Sequence, residues 1–131
     1  MKRKAIVCVD DEPMILSSLI EQLQKLFGDQ YQYETAENAE EGMELLEELS
    51  GEGTEVMAIV SDWLMPGVKG DEFLIRVHKK YPEIVKVLLT GQANQDSIKN
   101  ALENADLHAC IYKPWTENDL RLIISSGLGK K

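Results

Sequence analysis

A small set of polar residues lies at the ends of short apolar runs and has the side-chain types needed for joint chemistry. In chain order these residues are Asp10, Asp11, Glu12, Asp62, Thr90 and Lys113. An aspartate at the mouth of a buried strand loses hydration, which is costly unless the carboxylate is paired, hydrogen-bonded or bound to a cation. Carboxylates that share one depression also repel each other, and a divalent cation or a shared proton relieves that repulsion. The acidic members therefore predict a cation site with oxygen ligands.

The remaining members of the set indicate what that cation would serve. One or two carboxylates with water and a backbone carbonyl suit Mg²⁺, which pairs naturally with phosphoryl oxygens. Lys113 adds a positive charge that could bind a phosphoryl oxygen or Asp62, and Thr90 adds a hydroxyl donor. Because a carboxylate can act as a nucleophile, Asp62 is the candidate phosphoryl acceptor. Catalysis of such a transfer is mostly positioning and electrostatic stabilisation.

The apolar pattern predicts the elements that would bring these residues together. Short continuous apolar runs alternate with helical periods five times, as in a parallel sheet covered by helices. The predicted strands cover residues 5–9, 31–36, 56–60, 84–89 and 108–112. We expect an α/β fold, a three-layer α/β/α doubly wound (βα)5 domain, with right-handed crossovers. Ligands bind such folds outside the carboxyl ends of the strands, where all the candidate residues lie.

Local signals mark several helix ends. Pro13 starts the first helix and Gly28 ends it. Asn38 with Glu41, and Thr116 with Asp119, are spaced as capping pairs for the second and fifth helices. The segment 50–53 is predicted to break the second helix, the third helix is expected over about 71–80, and the second strand is polar enough to be an edge strand. The fourth helix, about 94–104, is predicted to turn Ile98, Ala101 and Leu102 inward.

Composition sets limits on the class of protein. The 131 residues suffice for about one domain, and 23 acidic against 14 basic residues argue against direct nucleic-acid binding. Cys8 and Cys110 lie in apolar runs, which fits two free thiols in a reducing compartment. The N-terminal apolar run is too short for a signal peptide or a membrane span, so we expect a cytoplasmic protein that does not contact membranes.

Four segments together resemble a known family. The motifs VDDEP, SDWLMPGVKG, LLTGQA and IYKPW are similar, in order and spacing, to those of the receiver domain of two-component response regulators, over essentially the whole chain. Each motif is weak alone, since Asp10-Asp11 by itself equally fits a solvated turn. The resemblance implies a flavodoxin-like fold with strand order 2-1-3-4-5, a receiver domain over residues 1–126, and a tail or linker start over 127–131.

The resemblance also implies roles for individual residues. Asp62 would be phosphorylated by a phosphohistidine on a sensor histidine kinase or a histidine phosphotransfer protein. Mg²⁺ would be bound by Asp11, by Asp62 and by the backbone carbonyl of Leu64, with Asp10 acting through water. Thr90 and Lys113 would contact the phosphoryl group, and their movement would reshape the face formed by the fourth helix, fifth strand and fifth helix. The domain would catalyse its own phosphotransfer and dephosphorylation without being an enzyme for another substrate, and the Lys113-Pro114 bond would be cis.

Three positions could modify that behaviour. Cys110 stands where many receivers carry a Tyr or Phe that swings inward, with Tyr112 on the same face of the strand; a plain core role for Cys110 is the simpler interpretation. Leu64 stands where the family often has a polar residue, and an apolar side chain cannot orient an attacking water, so we hypothesise slow dephosphorylation. Gln92 is either a guard of the site or an ordinary loop residue.

Several functional alternatives remain at this point. A phosphohydrolase of the haloacid-dehalogenase type needs a second acid two residues after the nucleophile, where this chain has Leu64. A flavodoxin-like cofactor binder is disfavoured because the acidic first loop would repel a flavin phosphate. A receiver-like interaction module that works without phosphorylation also stays open. The chain is either a single-domain regulator or part of a longer protein with an output domain, and the family allows a homodimer that forms on phosphorylation.

Overall fold

The computed structural model describes residues 2–91 and 95–129. Across these residues, five strands alternate with five α-helices, and a short 3-10 helix covers Gly28–Gln30. The strands are β1 Lys4–Val9, β2 Gln32–Ala36, β3 Glu55–Asp62, β4 Val85–Thr90 and β5 Ala109–Tyr112. The helices are α1 Pro13–Phe27, α2 Ala39–Gly51, α3 Gly70–Lys80, α4 Gln95–Asn104 and α5 Glu117–Leu128. No helix in the described part of the chain is long and apolar enough to cross a membrane.

The strands form one parallel sheet in the order β2-β1-β3-β4-β5. This order confirms the predicted doubly wound fold and places the polar strand β2 at an edge. The register aligns the carboxyl ends: Val9 lies opposite Ser61, Asp62 opposite Leu89, and Thr90 opposite Tyr112. Residues at these positions therefore emerge at one edge of the sheet.

Two apolar layers cover the sheet. One face packs against α1 and α5 through Leu16, Leu19, Leu23, Leu120 and Ile124. The other face packs against α2, α3 and α4 through Leu46, Leu49, Phe73, Leu74, Val77 and Ala101, and against Ala105 just after α4. All of these side chains are buried, which is the main favourable contribution to folding.

The caps agree with the sequence signals. The Asn38 side chain accepts a hydrogen bond from the Glu41 backbone N–H at 2.9 Å. Thr116 and Asp119 form a reciprocal capping box, with donor to acceptor distances of 3.0 and 3.1 Å. Gly28 ends α1 with a φ of 59°, a left-handed conformation that favours glycine. Local sequence therefore determines where these helices begin and end.

Some predicted bounds and orientations were wrong. Strand β3 continues through Asp62, because Asp62 still pairs with Leu89. Helix α2 continues to Gly51. Helix α5 runs to Leu128, and Gly127 packs closely on Val85 and His108.

Leu102 is 54% exposed instead of buried. The inward stripe consists of Ile98 and Ala101 of α4 and of Ala105 just after it. Successive helical residues are about 100° apart, so Leu102 lies beside that stripe. The predicted start of this helix at residue 94 lies outside the described residues.

Candidate functional site

The candidate residues meet at the carboxyl edge of the sheet. Asp10 follows β1 and Lys113 follows β5, while Asp62 and Thr90 are the last residues of β3 and β4. The backbone continues the sheet pairing beyond the strands, because Lys113 N–H donates to the Thr90 carbonyl at 2.8 Å and Asp10 N–H donates to the Ala36 carbonyl at 3.1 Å. The main chain from which the Asp10 and Lys113 side chains project is thus held by hydrogen bonds.

Three carboxylates form the acidic part of the site. Asp10, Asp11 and Asp62 each offer an oxygen within 4.8 Å of the others. Asp10 is fully buried and Asp62 is 4% exposed, whereas Asp11 is exposed. The Glu12 N–H donates to Asp10 Oδ1 at 2.9 Å and holds that side chain against the turn. Two carboxylates are therefore nearly dry and one faces solvent.

Lys113 provides the opposing charge. Its Nζ lies 3.0 Å from Asp62 Oδ1 and 3.4 Å from Asp10 Oδ2. The Lys113 side chain is 21% exposed, so this ammonium is partly desolvated and interacts more strongly than one on the surface. The Lys113-Pro114 peptide bond is cis, as expected.

The electrostatic balance leaves the carboxylates short of positive charge. Burial raises the pKa of Asp10, although the hydrogen bond from Glu12 opposes this shift. Burial also raises the pKa of Asp62, against the lowering effect of Lys113. Burial acts to lower the pKa of Lys113, but its hydrogen bond and charge interaction with Asp62, together with Asp10, outweigh burial and raise it. One lysine thus does not fully compensate the acids, and a cation would lower the remaining cost.

The donor set fits Mg²⁺. It consists of hard carboxylate oxygens on three residues, one of which faces solvent and can share the ion with water. Nitrogen and sulfur ligands, which softer metals prefer, do not belong to this cluster within the described residues.

The loop after Asp62 is held against the sheet by backbone contacts. Trp63 N–H donates to the Leu89 carbonyl and Gly70 N–H donates to the Trp63 carbonyl, both at 2.8 Å. A methyl group at Gly70 would overlap the Asp62 carbonyl oxygen, so only glycine lets α3 begin this close to β3. Gly67 has a φ of 81°, again a conformation that favours glycine.

These elements enclose an open depression of about 360 Å³. Its lining consists of Asp11, Glu12, Asp62, Trp63, Leu64, Thr90, Gly91 and Lys113. The structure therefore brings together the predicted acceptor, hydroxyl, lysine and metal ligands, with Asp10 buried beside them. Gln92 lies outside the described residues.

A family model described as the response regulator receiver domain matches residues 6–125. The chain belongs to the response regulator receiver domain family.

Individual relatives agree with this assignment. The receiver is 29% identical over 119 residues to the hydrogenase transcriptional regulatory protein HoxA of Cupriavidus necator, a match that covers 91% of this chain and 23% of HoxA. It is 29% identical over 93 residues to a chemotaxis protein CheY homolog of Campylobacter jejuni, covering 70% of each protein. The signal receiver domain of an HD domain-containing protein from Pseudomonas fluorescens superposes with a TM-score of 0.86 at 27% identity, covering 99% of this chain and 97% of that one. This receiver thus spans about a quarter of the length of HoxA.

Leu64 and Cys110, two positions at which this chain departs from the usual receiver pattern, lie in different surroundings. Leu64 is 60% exposed at the rim of the depression, so its side chain presents only carbon atoms there. Cys110 is half-buried and packs into the apolar layer under α3 and α4, outside the depression. Burial raises the pKa of the Cys110 thiol, and a hydrogen bond with Tyr112 partly opposes that shift. Tyr112 itself is 50% exposed, beside the cysteine on the same strand.

Sequence reasoning did not identify Gly70 as part of this receiver site. Gly70 was predicted to lie just outside α3, and its role depends on how closely α3 approaches β3. The spacing of Gly67 and Gly70 after Asp62 was the available signal, but glycine spacing alone does not report a close approach.

Proposed function

We propose that Asp62 is the residue of this two-component receiver domain that is phosphorylated, and that a phosphohistidine of a sensor kinase or phosphotransfer protein is the donor. An Asp62 carboxylate oxygen attacks the phosphorus, the bond from phosphorus to the histidine nitrogen breaks, and that nitrogen keeps the electron pair and takes up a proton. The observation that carries the proposal is the convergence of Asp62 with Lys113 at 3.0 Å and with the other two carboxylates.

The residues around Asp62 have distinct parts in this transfer. Lys113 exchanges part of its contact with Asp62 for a phosphoryl oxygen and stabilises the developing charge. The Thr90 hydroxyl donates to a second oxygen. Asp11, Asp62 and the Leu64 carbonyl would hold Mg²⁺, with Asp10 acting through water, and the ion would supply neutralising charge when bound.

Dephosphorylation restores the carboxylate. Water attacks the phosphorus, the bond from phosphorus to the Asp62 oxygen breaks, and inorganic phosphate leaves. The Leu64 side chain has no polar atom with which to orient that water, so we propose a slow reaction. Cys110 acts as a core residue. The face formed by α4, β5 and α5, reshaped by phosphorylation, binds a partner or an attached output domain.

The proposal is tested with acetyl phosphate as the phosphoryl donor and intact mass spectrometry as the measurement. Wild-type protein with Mg²⁺ is expected to gain one phosphoryl group, and EDTA is expected to prevent the gain. The Asp62→Asn variant is expected to gain none. An adduct of equal yield on Asp62→Asn would refute the assignment of the acceptor.

A further inference from the structure

A third buried carboxylate lies outside the acidic depression, at the start of α3. Asp71 is 6% exposed, and its Oδ2 accepts a hydrogen bond from Asn100 Nδ2 on α4 at 3.0 Å. The same amide nitrogen lies 3.4 Å from Glu72 Oε1. We call Asp71, Glu72 and Asn100 the α3–α4 clamp. The clamp is a polar contact at the edge of the apolar layer between the sheet and helices α3 and α4. Phe73, two residues after Asp71, is part of that layer.

The chemistry of the clamp makes it sensitive to the position of α4. Apolar side chains tolerate sliding, whereas a hydrogen bond weakens steeply when its distance or angle changes. A buried carboxylate that loses its donor also bears a desolvation cost. The clamp therefore favours one placement of α4 on α3 more sharply than the packing of Ile98 and Ala101 would alone.

The clamp is joined to both halves of the phosphorylation site. On one side, Gly70 N–H bonds the Trp63 carbonyl at 2.8 Å, and Gly70 leaves no room for a side chain against Asp62, so Asp71 is fixed to the end of β3. On the other side, α4 is the next element after β4, whose last residue is Thr90. A change at Asp62 or Thr90 that moves α4 must therefore strain the bond between Asp71 and Asn100.

We propose that Asn100 is a positioning residue, and that its hydrogen bond to Asp71 holds α4 in the arrangement in which Lys113 pairs directly with Asp62. This inference rests on the proposed function. Phosphorylation of Asp62 favours a second arrangement of α4 in which the clamp is broken. The clamp then acts against phosphoryl binding, since a bond made in only one of two states shifts the equilibrium toward that state.

The test measures affinity for beryllofluoride, a phosphoryl analogue, in the presence of Mg²⁺, by tryptophan fluorescence. Asn100→Ala removes the clamp donor, and Asn118→Ala is the control, because it makes the same substitution at an exposed position of α5 outside the clamp. The contact described for Asn118 is with Arg121 of the same helix. We expect Asn100→Ala to bind beryllofluoride about three- to tenfold more tightly than wild type, a change that fits the net contribution of one intramolecular hydrogen bond. We expect Asn118→Ala to stay near the wild-type value.

A double-mutant cycle tests whether the two residues act through one bond. Asp71→Ala should also tighten binding, and the double variant should be no tighter than the single variants. A purely structural role would lower the melting temperature of Asn100→Ala without tightening beryllofluoride binding, and that result would overturn the inference. Failure of wild type to bind beryllofluoride would instead refute the proposed function, on which the clamp depends.

Discussion

The buried carboxylates of the acidic depression should lower the free energy of unfolding, and the Asp10→Asn variant measures this cost. The carboxylate oxygens of Asp10, Asp11 and Asp62 lie within 4.8 Å of one another. Two unit charges at that separation repel by roughly 3 kcal/mol at an effective dielectric constant of about 20. Lys113 offsets much of the repulsion at 3.4 Å from Asp10, which leaves the desolvation of a fully buried carboxylate as the deciding cost.

Replacement by asparagine keeps the shape of the side chain and the oxygen that accepts from Glu12. We expect Asp10→Asn to be about 1–2 kcal/mol more stable than wild type at neutral pH without divalent ions, a rise of roughly 3–6 °C in melting temperature. Asp11→Asn is the matched control, because it removes the adjacent but exposed carboxylate and should gain less.

The pH dependence gives the same expectation an independent check. Burial raises the pKa of Asp10 in the folded protein, so the fold holds this proton more tightly than the unfolded chain does. The free energy of unfolding of the wild type should therefore fall as the pH rises from the ordinary pKa of an aspartate through the raised pKa of Asp10. At low pH, where Asp10 is protonated in both states, the stability advantage of Asp10→Asn should disappear. Chemical denaturation across this range measures both trends. A variant that is less stable than wild type at neutral pH would refute the reasoning.

Two other substitutions test separate parts of the site. Leu64→Asn should shorten the lifetime of phospho-Asp62 several-fold by offering water a polar partner, as followed by the decay of the phosphorylated mass; an unchanged or longer lifetime would contradict the role given to Leu64. Gly70→Ala should cost about 1–3 kcal/mol in unfolding free energy because its methyl group would overlap the Asp62 carbonyl. Gly51→Ala, at a helix end with open space around it, should change stability by less than about 1 kcal/mol, and equal losses in both variants would argue against the close approach.

The sequence predicted most of the fold because the governing signals are local. The alternation of apolar runs and helical periods identified all five strands, and the capping residues Asn38 and Thr116 determined two helix starts. Where prediction failed, a contact between distant residues decided the outcome. Strand β3 passes its predicted end at residue 60 because Asp62 still pairs with Leu89 on β4, and such a pairing leaves no local pattern.

The candidate site was predictable for a different reason. Parallel strands bring their carboxyl ends to one edge, so polar residues at several strand ends indicate one site even when each motif is weak. The role of Asp71 could not be foreseen in this way. Its position at the start of a helix is ordinary for an acid, and only the packing of α4 shows that the carboxylate is buried and bonded to Asn100.

The most direct test of the account is to locate the phosphoryl group by chemical trapping. After reaction with acetyl phosphate and Mg²⁺, borohydride reduces an aspartyl phosphate to homoserine, and peptide mass spectrometry identifies the altered residue. The account predicts homoserine at position 62 and unmodified aspartate at positions 10 and 11. A modified residue elsewhere, or none in a protein that has gained the phosphoryl mass, would contradict the assignment of Asp62 as the acceptor.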